Sequence, residues 1–212
     1  MIGGAAAALG TLARSTGPSG PVTPIGATRI ALAPRRVEKV SPDGLNPQLL
    51  DRALAALDRH GRAVAHRDRI AIVDFSVPSS EPRLHFLNVE SGEVSRMLVA
   101  HGSGSDPRHT GFLHSFSNVS GSNASSEGAF LTEDYYVGKH GRSQRLLGLD
   151  PTNNNALERA IVIHGAWYAN ADMIAAHGKL GRSQGCFAVA ENDLRTVFDY
   201  LGKGRLIYAA RT

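Results

Sequence analysis

The spacing of hydrophobic residues changes along the chain from a helical period to a strand period. Near residue 46 the pattern predicts an amphipathic helix, with Asn46 as its cap and Pro47 at its first position, where a missing N–H costs nothing. The apolar positions at helical spacing are Leu50, Ala53, Leu54 and Leu57. Gly61 follows this pattern and is a typical helix stop.

After this helix, short runs rich in β-branched and aromatic residues predict strands. They cover residues 70–75, 84–89, 94–100, 130–137, 144–149, 160–163 and 205–210. Turn-forming clusters such as "VPSSEPR", "ESGE" and "DPTNNN" separate them. Residues 101–128 are rich in Gly, Ser and Asn, which predicts a long loop of the kind that often carries function.

Two further helices are predicted in the C-terminal third. One covers about 170–177, and the other covers 190–201. The second has one apolar face, made of Leu194, Val197, Phe198 and Leu201. Many short strands with few helices predict a mainly β fold, built as one domain of mixed or antiparallel sheets over residues 41–212.

The N-terminal 40 residues differ in composition from the rest of the chain. A small apolar run over residues 2–13 is followed by a polar stretch rich in Pro and Gly, as in an export signal and its cleavage zone. The basic residues that normally precede such a run are missing, so we place the true start upstream of Met1. The alternative is a disordered Ala/Gly tail. The run is too short and too interrupted by glycine to span a bilayer.

Composition narrows the class of protein. Hydrophobic residues make up 42% and charged residues 20% of the chain, as in ordinary globular proteins. The 23 Lys and Arg against 19 Asp and Glu give a net charge of +4, and no basic run alternates with aromatics. A nucleic-acid partner is therefore not predicted.

The chain has one cysteine, Cys186, within "HGKLGRSQGCFAVAEND". A lone cysteine excludes an intramolecular disulfide and a thiolate zinc site. If the thiol is catalytic, it needs an imidazole to take its proton and donors for the oxyanion formed by its attack. Gly185 permits a tight turn that can point consecutive N–H groups at one spot. An inert buried cysteine is the alternative.

Nine histidines compete for the role of base. His164 ends the apolar run "AIVI" and precedes Gly165, where rigid placement and access coincide. His177 is the second candidate, and a purely structural His164 is the alternative. No HExxH or similar set appears, so no metal is predicted. A thiol and an imidazole carry such chemistry without a cofactor.

"IVIHGAWY" followed by "SQGC" resembles the L,D-transpeptidase catalytic-domain family, the YkuD-like enzymes, and "HGKLGRSQGCFAV" resembles its divergent murein branch. The segments "IAIVDFS", "LHFLNVESGEV", "VAHGSG" and "SEGAFLT" are similar to its earlier hairpins and turns. The resemblance implies a mostly β fold with a cleft over the thiol. It also implies acyl transfer on peptidoglycan stem peptides through a thioester.

The resemblance also implies roles for individual residues. Cys186 is the nucleophile and His164 the general base, while the Gly185 and Cys186 backbone forms the oxyanion site and Ser183 braces the loop. The commoner family pattern has His before the glycine and Arg two residues after the cysteine. Here those positions hold Gln184 and Ala188.

In the commoner family pattern, the arginine two residues after the cysteine is expected to recognise a substrate carboxylate, and this chain has Ala188 there. We expect Arg182 to take over, because a guanidinium matches a carboxylate in bidentate fashion. A structural salt bridge is the alternative. Trp167 and Tyr168 either line the cleft or belong to the core, and Ser103 in "GSGSDPRHTGF" is expected to form another wall.

The predicted function is therefore a cysteine-dependent L,D-transpeptidase that acts on peptidoglycan stem peptides and is exported, periplasmic or associated with the cell wall. Hydrolysis of the same bonds, as a carboxypeptidase or endopeptidase, is an alternative. So are an inactive wall-binding module and a cytosolic thiol enzyme that acts on another amide. The oligomeric state is not predicted.

Overall fold

The computed structural model describes residues 44–212. The predicted export-like segment, residues 1–40, and the boundary at 41 lie outside the described residues. Within residues 44–212, no helix is long and apolar enough to cross a membrane.

The first helix, α1 (Pro47–Arg59), forms as the sequence predicts. The Asn46 side chain accepts hydrogen bonds from the backbone N–H groups of Gln48 at 2.9 Å and Leu49 at 3.4 Å. Two of the donors that a helix start leaves unpaired are thereby satisfied. One face of α1 is buried, and Gly61 follows two residues after its end.

Eight strands and two more helices follow. The strands are β1 (Arg69–Asp74), β2 (Leu84–Asn88), β3 (Val94–Met97), β4 (Gly128–Gly138), β5 (Gly141–Gly148), β6 (Val162–Gly165), β7 (Phe187–Val189) and β8 (Leu206–Ala210). The helices are α2 (Asp172–His177) and α3 (Leu194–Leu201). Two single 3₁₀ turns cover Ser103–Ser105 and Trp167–Ala169.

The described strands form one sheet in the order β3-β2-β1-β8-β4-β5-β6-β7. The pairs β1/β8 and β6/β7 are parallel, and the other five neighbouring pairs are antiparallel. The predicted mainly β class with a few helices is confirmed, and the mixed character resides in this one sheet.

The sheet is covered on both faces. Alternate residues of β1 point to opposite sides. Ile70 and Ile72 join the buried cluster under α1, while Ala71 and Val73 join the cluster under α3. Burial on both faces explains why the strand reads as an unbroken apolar run rather than an alternating one.

Several predicted bounds differ from the structure, among them the strand predicted over 94–100, which ends at Met97, and two elements next to Cys186 and His164. The predicted helix 190–201 begins at Leu194, because Phe187–Val189 pair with β6 as a strand and the chain then turns, with Asp193 N–H donating to the Ala190 carbonyl at 3.0 Å. The predicted strand 160–163 begins at Val162, because Ala160 closes a turn with a φ of 52°. In both cases the prediction extends an element into an adjoining turn, which covers residues 191–193 in the first case and ends at Ala160 in the second.

Candidate active site

The pairing of β6 with β7 brings the predicted nucleophile and base to the same place. His164 pairs with Ala188 in a parallel register, and Cys186 lies directly before β7. Extending that register puts Cys186 opposite Val162, so the thiol and the imidazole lie on one face of the sheet. Both side chains line one cavity of about 540 Å³.

His164 is held by its own strand end. Its side chain is 1% exposed, and Nδ1 lies 2.9 Å from the Gly165 carbonyl oxygen. A carbonyl only accepts, so Nδ1 carries the proton and Nε2 is the acceptor. Burial lowers the pKa of His164, against the bond to Gly165, and the nearby His140 and Lys139 lower it further. The imidazole is therefore neutral at pH 7 and can take a proton.

Cys186 rests as a thiol. The residue is 9% exposed, and its Sγ donates to the Ala160 carbonyl at 3.6 Å. Burial raises the pKa of Cys186, although the Val162 backbone N–H and the charges of Lys139 and Arg159 act to lower it. A thiol held in its protonated form needs a base at the moment of attack. This arrangement suits general-base activation rather than a preformed thiolate.

The loop before Cys186 is braced by Ser183, the role implied by the family resemblance. Ser183 Oγ donates to the Cys186 carbonyl at 2.7 Å and accepts from the Gly185 N–H at 3.1 Å. Because the Gly185 N–H is already bound to Ser183, only the Cys186 N–H stays as a predicted oxyanion donor. The two-donor oxyanion site that the resemblance implies would require the Gly185 N–H to leave Ser183.

Gly185 occupies a position that only glycine suits. Its φ is +110°, and a Cβ there would lie 2.7 Å from the Ala124 carbonyl oxygen and 2.9 Å from Ile161 Cδ1. The turn therefore packs closely against the buried residues Ala124 and Ile161, and a larger residue than glycine would not fit. The sequence signal for the turn, a glycine directly before the cysteine, was therefore correct.

The loop is also tied to the segment after β3. Ala100 bridges to Ala188, and Gly102 bridges to Ser183. Ser183 N–H donates to the His101 carbonyl at 2.9 Å, and the Ser103 N–H donates to the Ser183 carbonyl at 2.8 Å. Ser103 thus supports the nucleophile loop through its backbone, and it is not among the residues that line the cavity.

A buried polar network supports this segment. Arg83, His101 and Asp106 are each 0% exposed. Arg83 Nη2 lies 2.7 Å from His101 Nδ1, and His101 Nε2 lies 3.4 Å from Asp106 Oδ2. A guanidinium only donates, so His101 Nδ1 accepts and Nε2 carries the proton. Burial and Arg83 lower the pKa of His101 to about 4, which keeps this ring neutral at pH 7.

Asp106 fixes the position of Arg182. Burial acts to raise the pKa of Asp106, but hydrogen bonds from the Thr110 and Gly111 N–H groups outweigh it, and the pKa falls to about 2. The backbone carbonyl of Asp106 accepts from Arg182 Nη1. Arg182 lines the cavity, and its guanidinium donates to this carbonyl rather than to the structural carboxylate of the alternative interpretation.

The remaining candidates lie in different surroundings. Tyr168 lines the cavity, and burial raises its pKa to about 12. Trp167 is 65% exposed and is not among the lining residues, but its ring meets that of Tyr168 edge-on at 5.9 Å. His177, the alternative base, is exposed at the end of α2 and does not line the cavity.

Among the lining residues that the sequence did not indicate, three are basic: Lys139, His140 and Arg159. His140 lies at the tip of the β4–β5 hairpin, and its ring stacks on His164 with centroids 4.3 Å apart. Two glycines flank "KH" between predicted strands, and this was a usable turn signal. The sequence does not indicate that the tip of this hairpin contacts His164.

Arg159 lies beneath the nucleophile turn and binds the 117–126 loop. Its Nη1 donates to the Ser117 carbonyl at 2.7 Å and to Ser126 Oγ at 2.6 Å, and its Nη2 donates to the Ala124 carbonyl at 2.6 Å.

Among residues 44–212, no group of three or more His, Cys, Asp or Glu is arranged to hold a metal ion.

Comparison with known proteins gives one family and several similar folds. Residues 41–210 match the family described as L,D-transpeptidase catalytic domain. A search of curated proteins gave no match. Similar solved structures include an L,D-transpeptidase from Mycobacterium smegmatis, at 13% identity and a TM-score of 0.42 over 68% of this chain and 58% of that one.

Two further structures are of the same kind. An L,D-transpeptidase from Stackebrandtia nassauensis has 15% identity and a TM-score of 0.40, covering 69% of this chain and 57% of that one. One from Xylanimonas cellulosilytica has 16% identity and a TM-score of 0.40, covering 78% and 70%. The match thus covers less than two thirds of the Mycobacterium smegmatis and Stackebrandtia nassauensis structures. From the match over residues 41–210, the chain belongs to the L,D-transpeptidase catalytic-domain family.

Proposed function

We propose that this protein catalyses cysteine-dependent acyl transfer on peptidoglycan stem peptides. The observation that carries the proposal is that Cys186 and His164, from neighbouring segments of the sheet, line one cavity, with His164 Nδ1 bound to the Gly165 carbonyl. That bond leaves Nε2 as the proton acceptor, which is the tautomer a general base requires. Membership of the family supplies the class of substrate.

The proposed reaction has two steps. His164 Nε2 takes the thiol proton as Cys186 Sγ bonds to the carbonyl carbon on the L side of an L,D peptide bond. The C–N bond then breaks, the departing amine of the D-residue takes that proton, and a thioester remains. An amine from a second stem, or water, then attacks the thioester carbonyl and gives up a proton to His164 Nε2. The C–S bond breaks, and Cys186 Sγ takes that proton and returns to the thiol.

The oxyanion of each tetrahedral intermediate is assigned to the Cys186 N–H, and Tyr168, which lines the same cavity, is a candidate second donor. The burial that raises the pKa of Tyr168 keeps this hydroxyl protonated, so it can act as a donor. An enzyme with this substrate works outside the cytoplasm, in the periplasm or the cell wall, and we propose that location.

The test uses purified disaccharide-tetrapeptide with and without free glycine, followed by mass spectrometry. Release of the D-residue alone indicates hydrolysis, glycine exchange indicates transfer to an amine, and dimers indicate cross-linking. We expect Cys186→Ala to lower turnover at least about a thousandfold and His164→Gln to lower it about a hundredfold or more.

His177→Gln is the matched control, because it changes the other candidate imidazole at an exposed position outside the cavity. Its turnover should equal that of the unaltered protein. Thermal unfolding of all three variants checks that the fold persists. Full activity of Cys186→Ala, or no product from the unaltered protein on any L,D stem peptide, contradicts the proposal.

A further inference from the structure

The cavity over Cys186 carries an excess of positive charge. Three cations line it, each from a different segment: Lys139 from the hairpin tip, Arg159 from the turn before β6, and Arg182 from the loop before β7. Glu158 is the single lining carboxylate. The lining histidines add no charge at pH 7, because burial lowers the pKa of both His140 and His164.

These cations are not neutralised within the described part of the chain. Arg159 donates to backbone carbonyls and serine hydroxyls, and Arg182 donates to a backbone carbonyl. None of the three forms a salt bridge to a carboxylate of residues 44–212.

Some cations outside the cavity are paired directly with carboxylates. Arg205 binds the Asp68 carboxylate through both Nε and Nη2, at 3.1 and 3.0 Å. Lys203 lies 2.7 Å from Asp134. The cavity differs from these pairs, because three cations line it against one carboxylate, Glu158. Arg159 and Arg182 are half-buried, whereas Lys139 is exposed. Half-buried cations attract a ligand carboxylate more strongly than fully solvated ones, because water screens them less.

We propose that this cavity selects stem peptides whose side carboxylates are free over stem peptides in which they are amidated. The inference rests on the proposed function and names the charge class of its substrate. Arg182 and Lys139 are the selecting residues. Arg159 supplies background charge while its hydrogen bonds hold the 117–126 loop. An amide carries no charge and competes poorly for an unpaired guanidinium, whereas a carboxylate accepts its N–H groups in bidentate fashion.

The experiment measures binding, so that it does not depend on turnover. Full-length Cys186→Ala is titrated by calorimetry with two tetrapeptides that differ only in amidation of the side carboxylates. We expect the free-carboxylate peptide to bind about tenfold more tightly at low salt. That ratio should shrink as sodium chloride is added. Adding Arg182→Gln or Lys139→Gln should reduce the ratio severalfold.

Arg195→Gln is the matched control, because it removes the same charge from an exposed position on α3 outside the cavity. Equal binding of the two peptides, no binding of either, or an equal loss with Arg195→Gln overturns the proposal. If the free-carboxylate peptide binds more tightly but the unaltered protein turns over neither peptide, the proposed function is contradicted and the selectivity is not. Equal turnover of both peptides, with equal binding, sinks the selectivity alone.

Discussion

His140 is the residue with the largest unanticipated effect on the candidate base. Its ring lies against His164 with centroids 4.3 Å apart and planes inclined by 19°. Burial is the main cause of the lowered pKa of His164, and His140 and Lys139 lower it further. The hairpin tip therefore keeps the base neutral to lower pH than a solvated imidazole would be.

We expect His140→Ala to raise the pKa of His164 towards 6.5, the ordinary value for histidine. A histidine with a raised pKa is protonated at higher pH, so the acid limb of kcat/KM moves upward and activity near pH 6 falls severalfold. His140→Phe keeps a stacked ring and should restore most of the original profile. Steady-state kinetics from pH 5 to 8 check this, and identical profiles for the unaltered protein and His140→Ala would refute it.

At the residue scale, the geometry of the turn before Cys186 is predictable from neighbours in the sequence, while the roles of its residues stay predictions. Gly185, Ser183 and Cys186 lie within one short turn, so a local motif describes their geometry. Neighbours in the sequence do not indicate that Lys139, His140 and Arg159 line the cavity, because these residues reach it from other segments of the fold. Which segments meet is determined by strand order, and a periodic pattern does not encode strand order.

At the scale of elements, the turn that carries Cys186 depends on a backbone conformation. Gly185 has a φ of +110°, and an added Cβ would lie 2.7 Å from the Ala124 carbonyl oxygen. Gly92, in the turn between β2 and β3, has a φ of +76° with nothing within 4 Å of an added Cβ. The two sites thus share the conformational cost but differ in crowding.

We expect Gly92→Ala to lower the free energy of unfolding by about 1 kcal/mol, the cost of a positive φ for alanine. Gly185→Ala should cost at least about 1 kcal/mol more, because the methyl group overpacks the turn. It should also abolish turnover by displacing the Cys186 N–H. Urea unfolding and activity assays check both variants, and equal losses of stability would contradict the steric argument.

Element existence was predicted well, and element bounds and partners less so. The helix α1 is predictable because its N-cap, Asn46, and the helical spacing of its apolar residues indicate the same element. The three-residue strand β7 was missed because "FAV" is too short to show a period, and its strand conformation comes from pairing with β6. That pairing brings Cys186 to His164, so the feature most important to the site was the one least visible in the sequence.

At the scale of the whole molecule, buried neutral histidines couple stability to pH. His85 in β2 is 2% exposed, and its Nδ1 has no hydrogen-bond partner among the described residues. Burial lowers its pKa to about 4, although Asp74 acts to raise it, and Arg96 lowers it further. The pKa of His101 is also lowered to about 4.

These shifts have a definite sign. The unfolded chain binds a proton at each histidine near pH 6.5, whereas the folded protein does so only near pH 4. Between these values the unfolded state carries more protons, so the free energy of unfolding falls as the pH is lowered. At pH 5 each buried histidine removes about 2 kcal/mol relative to pH 7.5.

We expect His85→Leu to abolish its share of this loss, since leucine does not titrate and leaves no unpaired buried nitrogen. Urea unfolding at pH 7.5 and pH 5 should show a loss smaller by about 2 kcal/mol than in the unaltered protein. The same substitution at exposed His66 should leave the pH dependence unchanged. If His85→Leu also leaves it unchanged, the acid sensitivity arises elsewhere, and His101, inside the network that holds Arg182, is the next group to replace.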